Sequence, residues 1–365
     1  MTALPSQITK PDESESLDLT RVARFPRLRA LAWSGDFLYA SRGYHLLRTK
    51  TVPQASSWPD LSWQSVASYS PAPWRSLTSK ILLTSRLLRD GFHALTVLSS
   101  GALVAAVPGA ILTLRTGEDK FQISHRITRG TRPLHITATP HGGVYWGEYF
   151  DNPSRDQVHI YGSNDQGATW RVAHTFPKRA IRHVHNIVYD SWGDCLWILT
   201  GDYGDECRIL RASCDFSRME TVLQGNQQAR AVALVPAEDG LYFSSDTPLE
   251  SNFIYRLDRK GAISQLASIA GSSIYGCRVG REIFFSTMIE PSEVNPDRNV
   301  RIYGSRSGRP WQPLLAWKKD FLPMKFFQYG NAFLPDGNNN TQYLAVSTIA
   351  VASDDMATSL YSVAP

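Results

Sequence analysis

The chain has 365 residues, of which 42% are hydrophobic and 19% are charged. This balance supports a buried core and excludes an intrinsically disordered protein. The net charge of +5 comes without a block of Lys and Arg, so we expect no nucleic-acid partner, although it suits an anionic substrate such as a uronate. The 10 Trp, 15 Tyr and 15 Phe favour a β-rich fold.

The location of the protein is predicted from what its sequence lacks. No apolar run approaches the roughly 20 residues that a helix needs to cross a bilayer, so we expect no membrane partner. The first residues, Met1 to Leu19, are polar and acidic and do not resemble a signal peptide. The four cysteines fit neither a zinc motif nor a disulfide framework. We therefore expect a cytoplasmic protein, or a secreted one if a leader precedes this chain.

Seven similar units follow one another along the chain. Each has an apolar strand, a turn, a second apolar strand and a polar loop; one example runs from Ala231 to Ser245 around a turn at Gly240. Apolar runs bounded by Gly and Asp are typical of strands that are buried on both faces. The seven units begin near Leu28, Phe92, Leu134, His185, Ala231, Ile274 and Tyr329.

The segment from Ser163 to Trp170 reads S-N-D-Q-G-A-T-W and predicts a tight hairpin. Its Asp can cap backbone N–H groups, and its Gly can adopt a positive φ. The segment resembles the Asp-box, or BNR repeat, of sialidase-like β-propellers, where this hairpin joins the third and fourth strands of a blade. Partial copies occupy the corresponding places near Trp63 and at residues 115–121, 213–217, 257–261 and 305–311.

These repeats predict an all-β fold, a single β-propeller of seven four-stranded antiparallel blades. We expect residues 18–365 to form the propeller and residues 1–17 to be a flexible N-terminal segment. The last unit lacks one strand, and a strand around Leu19 to Phe25 would complete that blade and close the ring. Because residues 51–88 are irregular, six or eight blades remain alternatives.

Propeller geometry should bring two sets of residues to one mouth of the central channel. The first strand of each blade begins, and the second strand returns, at the same end of the axis, whereas the Asp-box hairpins lie at the other end. The starts of first strands, with the residue that precedes one of them, supply His93, His135, Arg182, His183, His185, Arg230, Tyr275 and Tyr329. The loops after second strands supply Glu148, Tyr149, Arg155, Asp202 and Asp246.

β-Elimination on a uronate is the chemistry that we expect first. It needs a base for the C5 proton, an acid for the leaving oxygen and a cation for the carboxylate. We expect His183 or His185 to act with Tyr149 as acid and base. Several polysaccharide lyase families are seven-bladed propellers that use His, Tyr and Arg in this way, and this mouth resembles theirs in residue types.

The other predicted site residues bind or orient the substrate. Arg155, Arg182 or Arg230 would clamp the carboxylate. Glu148 and Asp202 would orient the catalytic groups or support a metal. The remaining residues that we expect to contact the substrate are His93, His135, Asp246, Tyr275 and Tyr329.

Three alternatives stay open. Paired carboxylates, Glu148 with Asp202 or Asp246, would suit a sialidase-like glycoside hydrolase. Imidazoles with a carboxylate would suit Ca²⁺, Mn²⁺ or Zn²⁺, although no spacing demands a metal and no cofactor is required. A non-catalytic propeller that binds a glycan or a protein is the third. The preferred hypothesis is a carbohydrate-active lyase whose partner is an acidic, uronate-containing oligo- or polysaccharide.

Overall fold

The computed structural model describes residues 17–51, 61–290 and 292–364. These residues form seven antiparallel four-stranded blades arranged in a ring, which confirms the predicted fold class and blade number. The predicted flexible segment at residues 1–17 falls almost wholly outside the described residues, so that boundary stays a prediction.

The first three blades are consecutive in the chain. Blade 1 contains β2 (Arg29–Gly35), β3 (Phe37–Arg42), β4 (His45–Lys50) and β5 (Gln64–Ser68). Blade 2 contains β6 (Ala94–Val97), β7 (Leu103–Val107), β8 (Ala110–Leu114) and β9 (Gln122–Arg126). Blade 3 contains β10 (Thr137–Ala138), β11 (Val144–Gly147), β12 (Val158–Ser163) and β13 (Arg171–Phe176).

The next three blades repeat the same order. Blade 4 contains β14 (Val184–Asp190), β15 (Cys195–Thr200), β16 (Arg208–Ala212) and β17 (Met219–Gln224). Blade 5 contains β18 (Ala231–Ala237), β19 (Gly240–Ser245), β20 (Asn252–Asp258) and β21 (Ile263–Ile269). Blade 6 contains β22 (Ser273–Val279), β23 (Glu282–Thr287), β24 (Asn299–Ser305) and β25 (Gln312–Lys318).

Blade 7 closes the ring with strands from both ends of the chain. It contains β26 (Asn331–Phe333), β28 (Tyr343–Ile349), β29 (Ala357–Val363) and β1 (Leu19–Pro26). The pairing of β1 with β29 runs from Leu19 opposite Val363 to Pro26 opposite Ala357. The predicted completion of the last blade by an N-terminal strand is therefore confirmed.

The core lies between neighbouring blades. The second and third strands of a blade are its most apolar, and every residue of β7, β8 and β15 is buried. Fourth strands such as β9 are largely exposed on the outside of the ring. This gradient matches the continuous apolar runs of the inner strands, because those strands have neighbouring blades on both faces.

The hairpin from Ser163 to Trp170 joins β12 to β13, the third and fourth strands of blade 3, as predicted. One oxygen of Asp165 accepts hydrogen bonds from the Ser163 hydroxyl at 2.6 Å and the Thr169 N–H at 3.0 Å. Gly167 has a φ of +83°. The partial copies also lie between third and fourth strands, so these segments set the end of the ring that is opposite the mouth.

Three insertions distinguish this ring from a plain propeller. Strand β27 (Asp336–Asn339) pairs in parallel with β2, on the side of that first strand that faces the central channel. Helices α1 (Pro73–Thr78) and α2 (Leu82–Leu88) lie between blades 1 and 2, and α3 (Met324–Phe327) lies between blades 6 and 7. Helices α1 and α2 therefore account for part of the irregular region that left the blade number open in the sequence. Among the described residues, no helix is long and apolar enough to cross a bilayer.

Candidate functional site

The centre of the site is a pair of histidines at the start of the first strand of blade 4. His183 precedes β14 and His185 lies where the pairing of β14 with β15 shifts register. Such a bulge re-aims a side chain without ending the strand. The two Nε2 atoms lie 3.1 Å apart, so the two imidazoles face each other as the His-Val-His spacing predicts.

The protonation of this pair follows from its hydrogen bonds. Nδ1 of His183 lies 3.1 Å from the carbonyl oxygen of Phe150, and Nδ1 of His185 lies 3.0 Å from that of Ala231. A carbonyl oxygen only accepts, so both Nδ1 atoms carry a proton. Two neutral rings would then present two lone pairs to each other. The facing Nε2 atoms must therefore share either one additional proton or one cation.

Asp202, from the loop after β15, completes this cluster. Its Oδ1 lies 3.5 Å from Nε2 of His183 and 3.4 Å from Nε2 of His185. Burial raises the pKa of Asp202, but hydrogen bonds from the two histidines outweigh burial and hold that pKa far below its ordinary value. Burial lowers the pKa of His185. An ionised carboxylate therefore faces the shared proton or cation.

Two arginines and a second carboxylate surround Asp202. Arg182 reaches Oδ2 of Asp202 at 3.1 Å, and Nη2 of Arg230 lies 3.5 Å from both Asp202 Oδ1 and Asp246 Oδ2. Burial is the largest cause that raises the pKa of Asp246 to about 7; Glu290 and Asp202 also raise it, and Arg230 opposes them. The site thus holds one firmly ionised carboxylate and one that exchanges a proton near neutral pH.

Tyr149 packs against the histidines, with its ring centre 4.3 Å from that of His183. Burial raises the pKa of this tyrosine to about 12, and the charges of Asp246 and Asp202 add to the rise. Its hydroxyl group is therefore fully protonated at neutral pH. The charges of Arg230 and Arg132 lower the pKa of Tyr149, so Tyr149 lies near both arginines.

Two of the predicted residues, Glu148 and Arg155, form their hydrogen bonds with residues outside the cluster around Asp202. Glu148 is buried and binds Arg129 through two hydrogen bonds, one of 2.9 Å, while accepting the His159 N–H at 2.8 Å. Nε of Arg155 donates to Glu206 at 2.7 Å. Both side chains are at the mouth end of their strands, but each is neutralised by a neighbour in the loops.

The predicted residues of blades 3, 6 and 7 are divided between the channel and the surface. Nδ1 of His135 lies 2.9 Å from Oδ2 of Asp336, the first residue of β27, and the rings of His135 and Tyr275 are 5.8 Å apart. Tyr329 is exposed and makes no hydrogen bond or ring contact with the residues that the structure describes. His135 and Tyr275 therefore line the channel, whereas Tyr329 lies on the rim.

The sequence reasoning missed three arginines in the same mouth. Nη1 of Arg29 lies 3.2 Å from Nδ1 of His93, whose Nε2 contacts the backbone oxygen of Arg89 at 2.6 Å. Burial lowers the pKa of Arg132 to about 10, and the charges of Arg29 and Arg89 lower it further. No carboxylate of the described residues forms an ion pair with any of these three guanidinium groups. The only feature of the sequence that pointed to these arginines was the excess of positive charge in the chain.

Two clusters of described residues can supply three metal ligands at one point. One is exposed and consists of His141, Asp194 and Cys214; the other is the buried cluster of His183, His185 and Asp202. In the buried cluster the three facing atoms are separated by 3.1, 3.4 and 3.5 Å. Ligands about 2.1 Å from one divalent ion have such separations, so this set can hold either a proton or a metal.

Comparison with known proteins shows similarity of fold only. No protein-family model and no curated protein sequence matches the chain. A chain in the crystal structure of a mitotic checkpoint complex aligns at 12% identity over 100% of both chains, with a TM-score of 0.58. The WD40 β-propeller domain of Doa1 aligns at 11% identity, with a TM-score of 0.55, over 95% of this chain and 97% of that one.

The β-propeller domain of Cps50 (Swd1) from Myceliophteria thermophila gives a comparable match. Its identity is 12% and its TM-score is 0.54, and the alignment covers 96% of this chain and 100% of that chain. At these identities the shared feature is the ring of blades. The function of this protein therefore has to be argued from the residues around the mouth of its central channel.

Proposed function

We propose that the protein is a carbohydrate-active enzyme that cleaves a uronate-containing oligo- or polysaccharide by β-elimination. One observation carries the proposal: two buried imidazoles, both fixed through Nδ1, aim their Nε2 atoms at each other and at an ionised Asp202. This arrangement holds one exchangeable proton beside a tyrosine and two arginines, which are the groups that elimination needs.

Each step of the proposed reaction has a residue in the mouth. The His183–His185 pair reacts in the form that has released its shared proton to solvent: an Nε2 atom takes the C5 proton, which restores the shared proton, and the electron pair of that C–H bond forms the C4=C5 double bond as the C4–O4 bond breaks. Tyr149 donates its proton to the departing O4 oxygen. Its raised pKa keeps that proton available at neutral pH and makes the resulting phenolate a strong base, which regains a proton afterwards.

Acidity of the C5 proton depends on neutralising the substrate carboxylate. Arg230 is committed to two carboxylates, and Arg182 is committed to Asp151 and Asp202. Arg132 has no such partner and lies near Tyr149. We therefore propose Arg132, with Arg29 nearby, as the principal carboxylate clamp, because guanidinium groups bind carboxylates in a fixed two-bond geometry.

A glycoside hydrolase is the second candidate, and a specific observation favours it. Asp202 and Asp246 both contact Arg230, yet the pKa of Asp202 is strongly lowered and that of Asp246 is raised to about 7. A carboxylate pair with divergent pKa values is the pattern of an acid and its partner base or nucleophile. The Ser163–Trp170 hairpin supports a relationship to Asp-box propellers, which suits either enzyme.

The test is an assay of the purified protein on a panel of uronate-containing saccharides, with and without EDTA. Ultraviolet absorbance that rises as an unsaturated uronate forms would support elimination, and its loss with EDTA would show that elimination needs a divalent ion such as Ca²⁺, Mn²⁺ or Zn²⁺. New reducing ends without this absorbance would support hydrolysis. Binding of the saccharides without any product would favour a non-catalytic propeller.

A further inference from the structure

The helices at the mouth end have an inverted pattern of burial. In α2, the buried residues are Ser85 and Arg86, whereas Leu82, Leu83 and Leu87 are exposed. A surface helix of a globular protein normally turns its apolar face to the core. The outward direction of these leucines therefore requires an explanation other than packing within the ring.

A buried ion-pair network holds α2 in this orientation. Nη1 of Arg86, a side chain that is only 1% exposed, lies 2.7 Å from Oδ2 of Asp320 and 3.0 Å from Oδ2 of Asp355. Its backbone oxygen accepts a hydrogen bond of 2.7 Å from Gln328, just beyond α3. These bonds attach the side of α2 that carries Arg86 to blade 7 and to the end of α3. The opposite side of the helix, which carries the leucines, therefore faces the solvent.

The exposed apolar surface extends over all three helices. We define the helical rim as α1, α2 and α3 with the connecting residues 79–81 and the preceding residues 318–323. Phe321 is 95% exposed, and the other large apolar side chains that are exposed on the helical rim are Trp74, Leu77, Ile81, Leu82, Leu83, Leu87 and Phe326. Helix α2 contacts both α1 and α3, so most of these side chains lie on adjoining helices. An exposed apolar surface of this kind marks a contact with a protein or a membrane.

The charges of the helical rim favour an anionic membrane. The two acidic residues between positions 69 and 93 and between positions 318 and 330 are Asp90 and Asp320, and both are in ion pairs. Lys80, Arg89 and Lys325 are exposed around the apolar side chains. Leu, Trp and Phe bordered by Lys and Arg are the composition of surfaces that insert into the headgroup region of anionic bilayers.

We propose that the helical rim is a peripheral membrane-binding surface that inserts its leucine and aromatic side chains into an anionic bilayer. This proposal is independent of the chemistry of the mouth. The lack of a bilayer-spanning run led us to expect no membrane partner, but a peripheral surface needs only a few exposed side chains and no spanning helix. An anionic surface supplies the charge that complements the exposed Lys and Arg side chains.

The test is co-sedimentation of the full chain with two kinds of vesicle, one of phosphatidylcholine alone and one of equal parts phosphatidylcholine and phosphatidylglycerol. We expect binding to the mixed vesicles that weakens as salt is added, because salt screens the basic side chains. The double variant Leu83→Gln, Leu87→Gln should bind at least about tenfold more weakly, since it removes two inserted side chains. Its activity on soluble substrates should match that of the wild type.

A matched control separates the helical rim from general surface hydrophobicity. The double variant Val172→Gln, Ile263→Gln changes two exposed apolar residues on the outer strands β13 and β21, and it should bind vesicles like the wild type. Wild-type protein that does not sediment with mixed vesicles would overturn the proposal, and so would equal binding by the leucine variant. A change from dimer to monomer in the leucine variant, without vesicle binding by the wild type, would instead assign the rim to contacts between two copies of the chain.

Discussion

The Nε2 atoms of His183 and His185 lie 3.1 Å apart, although each residue holds a different carbonyl group through Nδ1. The carbonyl of Phe150 belongs to blade 3 and that of Ala231 to blade 5. The pair is therefore anchored to both neighbouring blades, and its facing nitrogens cannot separate without breaking one of these bonds. This fixed pair, with Asp202, is the part of the mouth from which we expect chemistry.

Replacing either histidine by asparagine should abolish most of the activity while preserving the fold. In His185→Asn, the side-chain amide can still donate to the carbonyl of Ala231, but no nitrogen with a lone pair remains. We expect the rate of elimination to fall about 10²- to 10⁴-fold, which is the usual contribution of a positioned acid or base. Initial rates and far-ultraviolet circular dichroism test this prediction together. A well-folded variant with more than half of the wild-type rate would contradict the proposed role.

Asp246→Asn should change the pH dependence of stability in a defined window. Because the pKa of Asp246 is about 7 in the folded state and its ordinary value, expected in the unfolded chain, is 3.8, the folded protein loses stability as the pH rises from about 4 to about 7. The difference corresponds to as much as about 4 kcal/mol. The asparagine variant should show a flatter profile of unfolding free energy across this window, measured in urea. Parallel profiles for variant and wild type would mean that Asp246 titrates normally.

Arg132→Gln should separate ligand binding from stability. It removes a cation that no carboxylate of the described residues neutralises, so we expect unchanged or slightly higher thermal stability. KM for a uronate substrate should rise about tenfold or more with loss of a guanidinium–carboxylate pair. The matched control is Arg129→Gln, which leaves the buried Glu148 unpaired and should destabilise the fold by about 2 kcal/mol or more without raising KM. Equal KM values for the wild type and Arg132→Gln would exclude Arg132 as the clamp.

Asp165→Ala should weaken the fold and leave the mouth intact. The variant removes the acceptor that holds the Ser163 and Thr169 hydroxyl groups and the Thr169 N–H at the far end of blade 3. We expect a loss of about 1 kcal/mol in unfolding free energy, because the carboxylate is largely exposed. Differential scanning calorimetry and the activity assay together check this. A large loss of activity at an unchanged melting temperature would show that the hairpin affects the mouth.

The sequence was informative wherever a repeating pattern determined the backbone. The apolar runs, the Ser163–Trp170 hairpin and its partial copies predicted the seven blades, the closing strand β1 and the end of the axis at which His183, His185, Asp202 and Arg230 meet. The His-Val-His spacing was a strong signal, because the relative position of two residues on one short stretch of chain depends on the local backbone alone. Tyr149 and Asp246 were also predicted, from loops that follow second strands.

Other parts of the mouth depend on contacts between loops that have no repeating pattern. Arg29 begins β2 and Arg132 precedes β10, and the folded ring brings both near His93 and Arg89, which share the connection between α2 and β6. Glu148 follows a second strand as expected, but Arg129 of the preceding connection binds its carboxylate. The inverted α2 was unpredictable for a related reason, because the ion pairs of Arg86 with Asp320 and Asp355 join parts of the chain more than 200 residues apart.

The most direct test of the central claim is mass spectrometry of the products formed from a defined uronate oligosaccharide in water enriched in oxygen-18. Elimination breaks the C4–O4 bond without adding water, so we expect no heavy oxygen from the cleavage step and one product that is lighter by a water molecule. The same products should form at least about a hundredfold more slowly with His185→Asn. Incorporation of one heavy oxygen per cleavage, with two saturated products, would contradict elimination and assign the mouth to hydrolysis by Asp202 and Asp246.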